Sequence, residues 1–210
     1  FIRLVLAERN LVFLPKIEIP WERNDAFLSL NPAGDVPVLV AENGLIVSGG
    51  TVIAEYIEET EPGSATDLLW GEASTRAEIR RLVQWFEVKF NREVGGPLVS
   101  ERVIKRFSGS GDISSSVIRL ALNNLKIHMD YIDWLSEHSN WLAGKRLSLA
   151  DLAAAAHLSV LDFLGDIDWG RHPEAKNWYA KMKSRPSFRD LLGDQVVGLV
   201  PPSHYCDLDF

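Results

Sequence analysis

Few residues in this chain have the type and spacing to do chemistry, and the sharpest pair forms a folding device. Ser148 stands three residues before Asp151 at the mouth of the apolar run Leu149-Ala-Asp-Leu-Ala-Ala-Ala-Ala156. That spacing matches a capping box, in which the Ser148 hydroxyl accepts from the Asp151 amide while the Asp151 carboxylate reaches back to the Ser148 amide. The helix it starts should be buried nearly all round. His157 follows on the same run with no Cys, His or Asp at metal-ligand spacing, so it reads as a hydrogen-bonded core histidine and no metal is expected. The chain has no Ser-His-Asp arrangement, no Walker-type glycine loop and no paired-cysteine motif, which leaves hydrolase, nucleotide and zinc chemistry without support.

The remaining candidates are features that bind. Trp21 lies between Pro20 and the charged Glu22-Arg23-Asn24. It either offers its ring to a protein partner as a hot spot or packs over the edge of its domain. The aromatic set Trp85, Phe86, Phe90, Tyr131 and Trp134 reads as core or dimer packing. At Gly49-Gly50, only backbone amides stand at a helix start, which makes a weak anion site. The end of the chain runs Gly198-Leu-Val-Pro-Pro-Ser-His-Tyr-Cys-Asp-Leu-Asp-Phe210, and its prolines exclude a continuous helix. Burying Tyr205, Leu208 and Phe210 would gain roughly 1.5 to 3 kcal/mol each, so this tail is expected to pack on the body or on a partner, with Asp207 and Asp209 displaying carboxylates.

Several elements must hold these residues. A helix is expected over Phe1 to Glu8, a strand over Leu14 to Ile19, and a hairpin of Val36 to Val40 with Leu45 to Val47 around an Asn43-Gly44 turn. A helix from about Thr51 to Glu59 stops at Glu61-Pro-Gly63, and residues 62–66 read as an inter-domain linker. Helical patterns then cover Thr75 to Arg92, Ser114 to Ser136, Ser148 to Leu164, Pro173 to Ser184 and Ser187 to Leu192, with Ser108-Gly-Ser-Gly111 as a flexible break. Two domains result, residues 1–61 and 68–210: a small α/β unit followed by an all-α bundle. The 210 residues are 46% hydrophobic and 24% charged, an ordinary globular balance. A formal charge of −7 argues against a nucleic-acid surface. No apolar run is long enough to cross a bilayer, so no membrane insertion is expected. The single cysteine, Cys206, cannot form an intrachain disulfide and suits a cytoplasmic location.

Three segments together resemble the glutathione transferase superfamily. They are Asn31-Pro-Ala-Gly-Asp-Val-Pro37-Val-Leu-Val40, Ile53-Ala-Glu-Tyr-Ile57 with Glu58 and Glu59, and Trp141-Leu-Ala-Gly144 followed by Leu147-Ser-Leu-Ala-Asp151. The resemblance implies a thioredoxin-like N-terminal domain, its first strand absent from this sequence, and an all-helical C-terminal bundle with an extended tail. It implies a cis bond at Pro37, with the Val36 backbone pairing to a peptide-like ligand. Relatives that bind glutathione usually hold Glu-Ser or Gln-Ser where this chain has Gly49-Gly50. Losing one or two charge-assisted hydrogen bonds of roughly 1.5 to 3 kcal/mol each would weaken glutathione about ten- to several-thousand-fold. A slip of two residues would give Ser48 the role instead. The residue that activates the thiol is expected before Phe1, in a missing stretch of roughly 15 to 20 residues, so no catalytic residue is assigned.

The terminal His204-Tyr-x-Asp-Leu-Asp-Phe210, with Lys183-Ser-Arg-Pro-x-Phe-Arg189 upstream, resembles a branch of that family. Its members dimerise and bind the tubulin-like division GTPase FtsZ rather than conjugate glutathione. This implies a homodimeric, non-catalytic FtsZ-binding regulator, recruited to the division site, whose partner surface is carried by Trp21, Asp207, Leu208, Asp209 and Phe210. No cofactor is expected, though glutathione could serve as ligand or substrate. The alternative is a glutathione transferase acting on small electrophiles, and a weaker option is a stress-related regulator bound to another partner such as polymerase.

Overall fold

The opening helix, α1 (Ile2–Glu8), buries Leu4 and Val5 completely. It belongs to the first of two compact units, Phe1–Leu69 and Trp70–Phe210, in a computed structural model that describes residues 1–60, 67–196 and 198–208. After α1 come α2 (Asp25–Leu30), strands β1 (Val38–Val40) and β2 (Ile46–Ser48), and α3 (Gly50–Thr60). α3 buries Ile53, Ala54 and Ile57, and it packs on α1. Inside this unit Arg9 Nε lies 3.6 Å from Glu58 Oε1, while Glu58 Oε2 accepts the amides of Leu68 and Leu69. Burial pushes the Glu58 carboxyl above its ordinary range, against the pull of Arg9 and those amides.

The strand expected over Leu14 to Ile19 does not form. β1 and β2 pair antiparallel in a two-stranded sheet, in register Val38 to Ser48, and neither bonds residues 14–19. Leu14 and Ile17 in this stretch are almost wholly exposed. β-branched residues favour a pleated surface, but a strand exists only through a neighbouring ladder. The hairpin forms within two residues of its expected limits, with a different turn. Gly44 takes φ +83° and donates to Ala41 O, Ala41 and Leu45 bond across, and Asn43 keeps an ordinary negative φ. This is not the two-residue turn that an Asn-Gly pair favours. The proposed linker and the helix stop at Glu61 lie outside the described residues, and Leu68 and Leu69 fall with the first unit.

The second unit begins with a helical run from Ala73 to Ser108. It comprises α4 (Ala73–Gln84), a π-helical stretch Trp85–Gly95, α5 (Gly96–Val99), a second π-helical stretch Ser100–Ile104 and α6 (Lys105–Ser108). Pro97 has no N–H to return to the carbonyl four residues back, Glu93 O, and Asn124 Nδ2 donates to that oxygen at 3.2 Å instead. Then follow α7 (Ser115–His138), α8 (Leu149–Phe163), α9 (Pro173–Lys183) and α10 (Arg189–Leu192). Phe86, Phe90, Leu152, Leu158, Trp178 and Tyr179 form the core of the bundle. The expected aromatic cluster therefore splits: Phe86 and Phe90 are buried, while Trp134 is exposed.

Ser148 and Asp151 form the expected capping box. The fully buried Asp151 carboxylate takes four donors: Leu142 N at 2.8 Å and Trp178 Nε1 at 3.0 Å on one oxygen, Ser148 N at 3.0 Å and Ser148 Oγ at 2.9 Å on the other. Burial nevertheless pushes this carboxyl above its ordinary range. His157 is half-buried and hydrogen-bonded, its Nε2 lying 3.1 Å from Glu87 Oε1.

His128 sits in a second polar chain. Trp85 Nε1 donates to His128 Nδ1 at 3.1 Å, which makes Nε2 the protonated nitrogen and aims its N–H at Glu93 Oε2, 3.0 Å away. Lys89 Nζ donates to Glu93 Oε1 at 2.6 Å. Burial pushes the His128 imidazolium down, whereas Lys89 first and His128 second hold the Glu93 carboxyl at about 2.

Two expectations follow. Asp151→Ala leaves four buried donors without an acceptor and should lower unfolding stability by about 3 kcal/mol or more, read from urea denaturation. Glu93 has a folded pKa depressed to about 2 from an ordinary value of 4.5, so its contribution is complete above pH 4.5 and lost as pH falls toward 2. The stability difference between wild type and Glu93→Gln should therefore shrink across that window; a constant difference would exclude the linkage.

Candidate functional site

Within the first unit, the chain reverses at a cis Val36–Pro37 bond that delivers it into β1. Gly49 donates its N–H to Pro37 O at 3.1 Å, so the end of β2 is fastened beside that bond. Gly49 takes φ +89°, a conformation open to glycine at little cost, and Gly50 begins α3. Val36, Pro37, Gly49 and Gly50 are thus brought together. Val36 is half exposed at the surface. What these four residues offer a ligand is backbone: the Val36 peptide groups and the first α3 amides, which have no partners inside the helix. Ser48 is the last residue of β2, paired with Val38 rather than placed on the helix.

Trp21 occupies a short 3₁₀ turn, Pro20–Glu22, in the same unit. Pro20 presets the turn, Arg23 closes it at φ +49°, and Asn24 caps α2 by accepting from Ala26 N at 2.9 Å. Trp21 is 42% exposed at the surface of this unit.

In the second unit the tail is fastened by polar contacts as well as apolar ones. Pro202 leads into a 3₁₀ turn, Ser203–Cys206, that buries Tyr205. The Tyr205 hydroxyl lies 3.0 Å from Ser159 Oγ, and its ring meets Phe163 edge-on at 5.3 Å. His204 Nε2 lies 2.9 Å from Asp162 Oδ1, the same oxygen that accepts Trp169 Nε1 at 2.8 Å, and Lys183 Nζ donates to His204 O at 2.9 Å. Burial pushes the Asp162 carboxyl up and the Lys183 ammonium down, and each opposes the other's shift by its charge. Gly165, at φ +73°, admits Pro202 so closely that a Cβ there would sit 3.1 Å from the proline ring.

This anchoring sets Asp207 at the surface two residues after Tyr205. Tyr205 packs on the body, one of the two outcomes expected for the tail, while Leu208 stays 40% exposed. Asp209 and Phe210 lie outside the described residues. The anchor of Asp162, Lys183 and His204 was not foreseen; its one sequence signal is the Asp inside the apolar run Leu158-Ser-Val-Leu-Asp-Phe163. Among the described residues, no group of three or more His, Cys, Asp or Glu could hold a metal ion, and no helix is long and apolar enough to cross a membrane.

Residues 2–60 match the model of the glutathione S-transferase N-terminal domain, and residues 120–186 match that of the C-terminal domain. FtsZ-localized protein A of Caulobacter vibrioides is 45% identical over all of this chain and 92% of its own length. The solved structure of FzlA from C. crescentus is similar with a TM-score of 0.93 at 45% identity, covering 100% of this chain and 93% of that one. A structure named as a glutathione S-transferase from Rhodospirillum rubrum gives a TM-score of 0.96 at 50% identity, again covering 100% and 93%. The small α/β unit carrying a cis-proline, the helical bundle capped at Ser148 and this similarity along the whole sequence agree: the chain belongs to the glutathione S-transferase family.

Proposed function

We propose that this chain is a non-catalytic, homodimeric division protein that binds FtsZ through Trp21 and the C-terminal segment beginning at Asp207, and acts at the division site in the cytoplasm. The observation that carries this reading is similarity to FtsZ-localized protein A along the entire chain. Two structural features support it. Tyr205 is pinned between α8 and α10, its hydroxyl also 3.4 Å from Leu191 O, so Asp207 is held at a fixed point of the surface. The start of α3 carries glycine where a side chain would otherwise help to hold a tripeptide. Two weak sites on one dimer would bind a polymer of repeated subunits far more tightly than either alone, so bridging needs no chemistry.

The second reading is glutathione transfer. The open α3 amides beside cis-Pro37 and the similarity to proteins named glutathione S-transferases favour it. In that case the Val36 backbone and the Gly49-Gly50 turn would hold the peptide, and thiol activation would fall to a group outside the residues assigned here.

Co-sedimentation with FtsZ polymer, run beside calorimetric titration with reduced glutathione, separates the two. The scaffold reading expects the chain in the polymer pellet and no heat with glutathione up to several millimolar. Trp21→Ala and removal of the residues from Asp207 onward should each reduce pelleting about tenfold or more while leaving the protein folded. Micromolar glutathione binding without co-sedimentation would replace the scaffold with the transferase.

A further inference from the structure

Charge is segregated within the helical unit. Residues 139–150 and 175–189 hold seven of the chain's 22 basic residues and none of its 29 acidic ones, so the two stretches are strongly basic in a chain whose formal charge is −7. The fold joins them: Arg185, two residues past α9, lies over the ring of Trp141, its guanidinium carbon 5.8 Å from the centroid. Lys145, Arg146, Lys181 and Arg189 are exposed, and Lys176 and Arg185 are half-buried. Lys183 is the exception, turned inward to the carbonyl of His204. Elsewhere exposed arginines have carboxylate partners, as Arg81 has Glu78 and Arg171 has Asp168. Among the described residues, no carboxylate pairs with Lys145, Arg146, Lys181 or Arg189.

The face is rigid where two of its arginines sit. Trp141 and Gly144 exchange backbone hydrogen bonds of 3.0 and 2.9 Å, closing a turn that needs glycine at φ +135°. The edge of the Trp70 ring comes within 3.6 Å of the Cβ position of Gly144, and Trp70 Nε1 donates to Leu147 O at 3.0 Å. Arg146 lies over that indole, 5.5 Å from its centroid. Two guanidinium groups are thus held over two indoles around one turn, and stacking preorganises the planar fork with which arginine binds the paired oxygens of a carboxylate.

This arrangement discriminates among anions. A nucleic-acid base stacks on an open aromatic face, but each of these half-buried indoles already has a guanidinium over it, and the acidic remainder of the chain repels a long polyanion. A bilayer holds a protein through aromatic groups that enter it, whereas neither indole projects and one has its N–H committed. An acidic peptide needs carboxylate-binding forks on a rigid surface with further cations around them, and both are present. We infer that the basic face formed by the turn from Trp141 to Arg146 and the end of α9 is a docking surface for an acidic peptide segment of another protein, with Arg146 and Arg185 taking its carboxylates. It shares no residue with the FtsZ contact proposed at Trp21 and Asp207.

The test is fluorescence anisotropy of a labelled poly-glutamate peptide titrated with the full chain in the absence of FtsZ. Arg146→Glu should weaken binding about tenfold, and Arg146→Lys or Arg185→Lys, which keep the charge and lose the fork, about threefold or more. Arg76→Glu, an equal charge change at an exposed position of α4, should leave the affinity nearly unchanged. The circular dichroism of Arg146→Glu should match wild type, because that side chain is exposed. No binding by wild type, lysine variants that bind as wild type does, or equal weakening by Arg76→Glu and Arg146→Glu would each overturn the inference. Tighter binding to phosphatidylserine vesicles or to duplex DNA than to the peptide would overturn it in favour of those partners. Salt-sensitive self-association that Arg146→Glu abolishes would overturn it by assigning the face to a second copy.

Discussion

Taking a carboxylate wholly out of water costs several kcal/mol, and the helical unit accepts that cost at Asp151 because the cost is offset by four donors that have no other partner. Those donors come from three places in the chain: the amide of Leu142, both groups of Ser148, and the indole of Trp178 on α9. One side chain thus fixes where α8 begins, how the preceding loop approaches it, and where α9 lies against it. α8 can then be almost wholly apolar, because the amides of Ser148 and Asp151 at its buried start are satisfied by the capping box.

The other end of α8 repeats the logic with Asp162, and there the carboxylate serves position rather than initiation. Trp169 Nε1 and His204 meet on one oxygen while Lys183 reaches the carbonyl of His204, so the tail is bound to the same helix that Asp151 starts. Two buried acids one helix apart therefore link the stability of the bundle to the placement of Ser203–Cys206. The first unit has its own version in Arg9 and Glu58, where a carboxylate gathers the amides of Leu68 and Leu69.

What the sequence reveals and what it hides divide along the range of the interactions. The capping box is legible because its two members are three residues apart, and the hairpin, though not its turn type, because the pattern of two short apolar runs around a glycine is local. The cis-proline is legible only through resemblance to a family. Leu14 to Ile19 misleads because β-propensity describes a residue's fit to a sheet and cannot supply the neighbouring strand. The tail anchor escapes detection because Asp162, Lys183 and His204 converge from separate elements. Trp134 and Tyr131 carry the spacing of a core stripe, and only the fold shows that α7 has already filled its inner face with other residues. The wide turns between Trp85 and Ile104 leave no compositional mark, since they differ from α-helix in which carbonyl each amide selects.

Those wide turns bear on how the chain can vary over evolutionary time. Each i→i+5 turn holds a residue more than the i→i+4 turn it replaces, so the stretch is a natural place for a single insertion or deletion to be absorbed without unravelling the helix. A change of count in the α-helical turns beside it would instead rotate one side of the run against the other by about a quarter of a turn, with Phe86 and Phe90 both fully buried on its inner face. Length is therefore more freely varied within the wide turns than in the α-helical segments that flank them.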